Sequence, residues 1–373
     1  MRVLPIRKVF LLLASVGLAG VVLALPPIKR GALIPAATRS AVSASKGGGK
    51  SSAKAVSKPV KRTRPAAQAG TSSRKSPPPQ TGKSAAAGMG PLVPFRSAIA
   101  ISAETGRVLY GEFATRAAYP ASVTKLMTFL LVLEDLQAGK YKLTDVARGS
   151  SYAASMEPSS VGIKPGETMK IEDLLYSIMI KSANDGAVVL AEHAAWVAQG
   201  NAGPIPEGTK GRELVEAFVT RMNRRAQELG MTSTTYQSPN GLPPERNEKR
   251  GFDTSTAEDI AKLCRRIVRI PNALKYTSPA VHTVTDGAGK PLTLSTHNYF
   301  LPGSHDKEGC AKPVEGCDGL KTGYTAVSGS SIALTAARDG KRVIVVVLGS
   351  AGRHNREAAA ARILNDALSA MAW

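Results

Sequence analysis

Acidic residues are missing from the first quarter of this chain. Residues 1–95 hold 16 Lys and Arg and no Asp or Glu, so most of the net charge of +21 sits in one terminal segment. Residues 96–373 carry 33 basic and 28 acidic side chains, a net of +5, which is ordinary for a globule. The basicity is therefore not that of a nucleic-acid-binding domain, and no nucleic-acid partner is expected. Aromatic residues are only 5% of the chain and nearly absent from the basic segment, which excludes a stacking platform for single strands there. Three cysteines are too few for a disulfide-built scaffold and too scattered for a zinc site. The five histidines (His193, His282, His297, His305, His354) fall at no metal-ligand spacing. No Gly-x-Ser-x-Gly occurs, so a nucleophile elbow is not indicated. Gly49-Lys50-Ser51 and Gly82-Lys83-Ser84 imitate the end of a P-loop, but both lack the earlier glycine and a preceding strand. No metal or other cofactor is implied.

What is present divides the chain in three. Arg7-Lys8 precede an uncharged run of 20 residues, Val9 to Ile28, the pattern of an export signal or a retained anchor over residues 1–28. Pro26 and Pro27 shorten its helical part, and Lys29, Arg30 and Arg39 beyond it conflict with positive-inside orientation. Residues 29–91 are Ser, Ala, Lys, Gly and Pro, which bury too little apolar surface to offset chain entropy, and a disordered linker is expected. The bland reading is a solvated tether; its charge also suits contact with an anionic membrane or acidic cell-wall polymer. From residue 92 to 373 a folded domain is expected.

Within it, Phe95–Ser102 and Val108–Phe113 read as a hairpin. Helical spacing marks Ala121–Gln137, Ile171–Ile180, Asp185–Ala198, Glu213–Leu229, Ser255–Ile270 and Arg356–Ala370, the fifth opened by a Ser255…Glu258 capping box. Gly319–Thr325, Ser331–Ala337 and Arg342–Leu348 read as strands. Two strands, a block of helices, three strands and a helix imply a mixed α+β fold, one antiparallel five-stranded sheet with helices on both faces.

Ser-x-x-Lys occurs five times, three of them in the linker and one, Ser304/Lys307, in a Gly-rich loop. Only Ser122-Val-Thr-Lys125 opens an apolar helix. A serine there lies in the positive end of the helix dipole, and a lysine three residues on shares its face, so its amine reaches the hydroxyl. Shielded from water and near other cations, such an amine loses basicity and serves as a proton acceptor. Alone, a capping serine beside a surface lysine would be the better reading. Ser182-Ala-Asn184 adds a hydroxyl and an amide at a turn between helices, although Ser238-Pro-Asn240 repeats the pattern. Lys321-Thr322-Gly323-Tyr324, on an expected strand, occurs once. Its glycine permits close approach of a ligand and its lysine supplies a cation for a carboxylate.

The ordered set Ser-x-x-Lys, Ser-x-Asn, Lys-Thr-Gly is the signature of penicillin-binding proteins and class A β-lactamases. The chain resembles the low-molecular-mass D-alanyl-D-alanine carboxypeptidases, peptidase family S11, over roughly residues 92–370. Pro120-Ala-Ser-Val-Thr-Lys-Leu-Met-Thr128, Ile171–Tyr176, Phe218–Asn223, Leu229–Met231, Asn240–Leu242, Ser255–Asp259 and Asp318–Thr325 look like family blocks. The resemblance implies a β-lactamase/transpeptidase-like fold and removal of the terminal D-alanine from peptidoglycan stem peptides. Ser122 would attack the carbonyl between two D-alanines, with Lys125 as its base. Ser182 would pass the proton to the leaving amine, and Asn184 would bind the peptide. Lys321 and Thr322 would hold the terminal carboxylate, Gly323 would let the substrate approach, and the N–H groups of Ser122 and Tyr324 would form the oxyanion hole. β-Lactams would trap Ser122 as covalent inhibitors.

Departures bear on the details. Many relatives have Ser-Gly-Asn where this chain has Ser182-Ala-Asn184. They often continue into a C-terminal β-domain and anchor, so membrane attachment is expected to rest on the N-terminal segment, or the enzyme to be free in the periplasm. Cys310 and Cys317 lie close together in a long Gly-rich loop and are expected to pair in an oxidising compartment, while Cys264 reads as a small buried hydrophobe. A D,D-endopeptidase cutting cross-links uses the same residues. A β-lactamase is disfavoured, since Glu207 and Glu245 are deacylation candidates by location only. A non-catalytic envelope-binding protein would not need the intact Ser122, Lys125, Ser182 and Lys321 set.

Overall fold

The computed structural model describes residues 95–245, 248–304 and 311–371. The expected signal or anchor and the basic linker lie outside them. Among the described residues no helix is long and apolar enough to cross a membrane.

The central strands carry buried side chains on both faces. Strands β1 (Ser97–Ser102), β2 (Val108–Glu112), β7 (Cys317–Thr325), β8 (Gly329–Arg338) and β9 (Lys341–Ser350) form one antiparallel sheet in the order β2-β1-β9-β8-β7. Side chains alternate across it with period two. Ala98, Ala100, Ile332, Leu334, Val343, Val345 and Val347 face helix α7 (Arg353–Ala370), which covers them with Ala360, Ile363, Leu364 and Ala367. Ile99, Ile101, Ala333, Ile344, Val346 and Leu348 face the larger helical layer. Each such Val, Leu or Ile side chain, fully withdrawn from water, contributes about 1.5–3 kcal/mol. Burial on both faces explains the continuous hydrophobic run Val343–Leu348 of β9.

That helical layer contains α1 (Lys125–Gln137), α2 (Ser151–Ala154), α3 (Ile171–Tyr176), α4 (Asn184–Ala198), α5 (Arg212–Glu228) and α6 (Ala257–Ile267). α1 is buried on nearly every side, as its run Leu126–Leu133 requires. α6 is amphipathic and starts two residues later than its sequence suggests. Ser255 is bridged to Ala118 as extended backbone, so Thr256 becomes the cap and accepts the Asp259 N–H at 3.1 Å. Two small hairpins had no counterpart in the sequence reading: β3 (Val146–Arg148) with β4 (Thr168–Lys170), and β5 (Val281–Thr285) with β6 (Pro291–Ser295).

Two helices are broken where chemistry was expected. Ala121–Thr124 is a 3-10 turn ahead of α1. After α3 the chain widens into a π turn, Ser177–Lys181, in which the Ser177 hydroxyl donates to the Asp173 carbonyl at 2.7 Å. The turn ends in Ser182, a left-handed residue with φ +66°, and α4 begins two residues later. β7 is one of the two edge strands of the sheet and lies against the Ala121–Thr124 turn, so the three motifs converge on one cleft.

Candidate active site

Ser122, Ser182, Asn184, Thr322, Gly323 and Tyr324 all line this cleft, whose volume is about 820 Å³. Lys125 and Lys321 lie beneath its floor, each 1% exposed or less. Tyr324 is 67% exposed and forms the rim.

Lys125 is the hub. Its Nζ lies 3.0 Å from Ser122 Oγ, 2.7 Å from Asn184 Oδ1 and 2.7 Å from the Asn240 carbonyl. Two of these partners are carbonyl oxygens, which only accept. A neutral amine satisfies both with its two N–H groups and turns its lone pair toward the third, the Ser122 hydroxyl. The surroundings favour that neutral form. Burial holds the Lys125 pKa well below its usual 10.5 and the Lys321 charge adds to the effect, while Asp253 and Asp185 oppose it.

The Asn240 carbonyl has its own support. Asp253, fully buried, accepts the Gln237 and Ser238 N–H groups at 2.6 and 3.0 Å and the Ser238 hydroxyl at 2.7 Å. Ser238 Oγ in turn accepts the Gly241 N–H at 2.8 Å. Gly241 has φ +84°, and a Cβ there would strike the Ala121 carbonyl, so this tight turn seats directly on the Ala121–Thr124 turn that carries Ser122. Ser238-Pro-Asn240 is thus no second Ser-x-Asn relay. It fixes the lysine through a backbone oxygen, a role with no side-chain signature in the sequence.

On the opposite wall, β7 comes so near that a Cβ on Gly323 would lie 2.8 Å from the Pro120 carbonyl oxygen and 3.1 Å from the Ser122 nitrogen. Lys321 donates to the Thr322 carbonyl at 2.9 Å, and burial, helped by the Arg356 charge, brings its pKa down to about 7. Arg356 was not anticipated. It lies in the first turn of α7, lines the cleft and pairs with Glu357 at 2.7 Å, and its Nε has no hydrogen-bond partner among the described residues. A signal existed: arginines at 353 and 356 crowd the positive end of a helix dipole, an unfavourable position that an anionic ligand would relieve.

Glu207 and Glu245 are both exposed and do not line the cleft. Among the described residues no group of His, Cys, Asp and Glu could hold a metal ion. Cys264 is a buried free thiol on α6. Cys317 is also a buried free thiol, and Cys310, its expected partner, lies outside the described residues.

The arrangement can activate a serine, stabilise charge and anchor an anion. Comparison with known proteins agrees with it. Residues 89–352 match the family model of peptidase S11, D-alanyl-D-alanine carboxypeptidase. The chain is 32% identical over 274 residues to D-alanyl-D-alanine carboxypeptidase DacF of Bacillus subtilis, covering 74% of this chain and 62% of the relative. A crystal structure of a peptidoglycan synthesis regulatory factor, PBP3, from Streptococcus pneumoniae superposes with a TM-score of 0.62 at 28% identity, covering 74% of this chain and 72% of that one. Penicillin-binding protein D2 from Listeria monocytogenes in its ampicillin-bound form superposes with a TM-score of 0.56 at 28% identity, covering 74% and 96%. The chain spans about three fifths of the length of the curated relatives it matches.

Proposed function

Since this chain belongs to the D-alanyl-D-alanine carboxypeptidases of peptidase family S11, we propose that it removes the terminal D-alanine from peptidoglycan stem peptides through an acyl-enzyme on Ser122. The observation that carries this reading is the buried Lys125 amine, 3.0 Å from the Ser122 hydroxyl and tied by two carbonyl oxygens.

Lys125 takes the Ser122 proton as Oγ bonds to the carbonyl carbon between the two D-alanines. The resulting oxyanion is met by the N–H groups of Ser122 and Tyr324, donors aimed at developing charge. The C–N bond then breaks, and Ser182 passes a proton to the departing amine. Asn184 binds the stem peptide. Lys321, Thr322 and Arg356 hold the terminal carboxylate, a cluster of donors suited to one anion. Water attacks the ester, releasing the shortened stem and restoring Ser122. β-Lactams, which present a strained amide and a carboxylate to the same groups, acylate Ser122. The relative solved with ampicillin supports this part of the reading. Such a substrate lies outside the cytoplasmic membrane, where the apolar segment Val9–Ile28 would direct the chain.

The test is the intact mass of the full chain after brief exposure to benzylpenicillin, beside Ser122→Ala. A drug-sized adduct on the wild type alone is expected. Intact drug with unmodified protein would overturn the nucleophile assignment.

A further inference from the structure

The cleft has one wall that no motif accounts for. Pro158 and Ser159 line it, at the start of the segment 157–167. This wall is held by Asp185, three residues after Ser182 and one after Asn184, a side chain 1% exposed that does not itself line the cleft. The Asp185 carboxylate has no ion-pair partner among the described residues. It accepts the Val161 N–H at 3.0 Å on both oxygens, Gly162 N–H at 3.0 Å and Ile163 N–H at 3.3 Å, besides Gly186 N–H at 2.7 Å in its own helix.

Two further bonds stitch the same wall to the relay turn. The Asn184 N–H donates to the Ser159 carbonyl at 2.6 Å, and Ser159 Oγ donates to the Lys181 carbonyl at 2.9 Å. Lys181 and Ala183 flank Ser182 on either side. The left-handed bend that presents the Ser182 hydroxyl is therefore clamped between the wall and the first turn of α4. An acidic residue early in a helix ordinarily serves the helix's own N–H groups; here three of the four N–H groups belong to the segment that carries the wall residues Pro158 and Ser159.

We propose that Asp185 is a positioning residue for the acylation step: by gathering the Val161–Ile163 amides it fixes the cleft wall against the relay turn and so sets where Ser182 and Asn184 stand relative to Lys125. This rests on the reading of Ser122 as the nucleophile. Because the carboxylate acts through geometry, its loss slows chemistry inside the bound complex more than it weakens binding. Displacement of a reacting group by about 1 Å costs on the order of 100-fold in rate.

The experiment separates the acylation rate constant from the dissociation constant of the encounter complex. Stopped-flow measurements with a fluorescent penicillin are made on the full chain, wild type, Asp185→Asn and Ser159→Ala, with melting temperatures alongside. Asparagine keeps the shape of Asp185 but offers one acceptor oxygen and turns an NH₂ toward backbone donors. The expected result for D185N is a rate constant lower by about 30-fold with a dissociation constant within about threefold of the wild type. S159A lowers the same rate constant less, and the double variant falls short of the product of the two, since both bonds hold one wall. A D185N rate constant within about twofold of the wild type, or a loss carried entirely by the dissociation constant or the melting temperature, overturns the proposal. If D185N does not accumulate as folded protein, S159A decides: an unchanged rate constant overturns the proposal. A wild type that is not acylated at all refutes the Ser122 reading instead.

Discussion

Replacing Gly323 by alanine tests whether the sheet edge positions the nucleophile. The new Cβ would stand 2.8 Å from the Pro120 carbonyl oxygen, 3.1 Å from the Ser122 nitrogen and 3.2 Å from the Val123 nitrogen. Carbon and oxygen settle no closer than about 3.3 Å, so the Ala121–Thr124 turn or β7 must retreat by roughly half an ångström. If the turn yields, Ser122 Oγ moves relative to Lys125 Nζ, now 3.0 Å away, toward the limit of hydrogen bonding. Half an ångström of misplacement implies about a tenfold slower acylation. Stability falls by no more than about 2.5 kcal/mol. The overpacked methyl costs about 1–3 kcal/mol, and a glycine removed from a strand interior returns about 0.5–1 kcal/mol. The assay is the second-order rate constant for labelling by a fluorescent penicillin, with a thermal melt to show that the protein is folded. A folded Gly323→Ala that acylates at the wild-type rate would show that β7 gives way and Ser122 does not depend on it, and the reasoning would fail.

Acylation should rise with pH as Lys125 passes into its neutral form, with a midpoint well below the usual lysine value of 10.5, and Lys125→Arg, which stays charged, should lose about 10³-fold in rate. A wild-type rate indifferent to pH over that range would remove Lys125 as the base. Lys321→Met should abolish tight β-lactam binding yet raise the melting temperature at neutral pH. The folded state brings Lys321 down to about 7, so the unfolded chain binds more protons between there and 10.5, and wild-type stability falls as pH drops through that window. The stability gap between the two proteins should therefore close on raising the pH toward 10.5; a gap that stays constant refutes the assignment of the burial cost to Lys321. Binding of an acyl-D-Ala-D-Ala peptide to Ser122→Ala about one pH unit above the Lys321 midpoint should take up between about half a proton and one, seen as a buffer-dependent enthalpy. Identical enthalpies in buffers of different ionisation heat would show that the carboxylate does not dock on Lys321.

The sheet was legible because both of its faces are buried, which gives β8 and β9 apolar middles, Ile332–Leu334 and Val343–Leu348, between turn residues. The small hairpins were not. In β5, of its five residues only Val284 is buried, too little apolar pattern to stand out from a loop. Ser122, Lys125, Ser182 and Lys321 could be read because side chains of fixed type recur at fixed spacing. The breaks that aim them could not. The π turn before Ser182 depends on a serine hydroxyl competing for a backbone carbonyl, and many helical serines do so without breaking the helix. Asn240 contributes a main-chain oxygen and leaves no side-chain pattern, and the two arginines opening α7 signal an anion without saying which cleft it would occupy.

What the structure adds most is an account of why two lysines share one cleft floor. Each is buried, and burial alone pushes both toward neutrality, yet the proposed chemistry asks opposite things of them. Lys125 has to stay neutral to accept a proton, while Lys321 has to be charged when a carboxylate arrives. Their neighbours resolve the conflict. Lys125 is fixed by two carbonyl oxygens, which an uncharged amine satisfies in full. Lys321 donates to one such carbonyl and stands in the field of Arg356, leaving donor capacity that an incoming anion can use. On the proposed reading a docking carboxylate would draw a proton onto Lys321, and the charge it recruits would offset part of the charge it brings near Lys125. Lys125 would then keep its neutral form in the proposed complex, where a lone carboxylate would raise its affinity for protons and stall attack by Ser122.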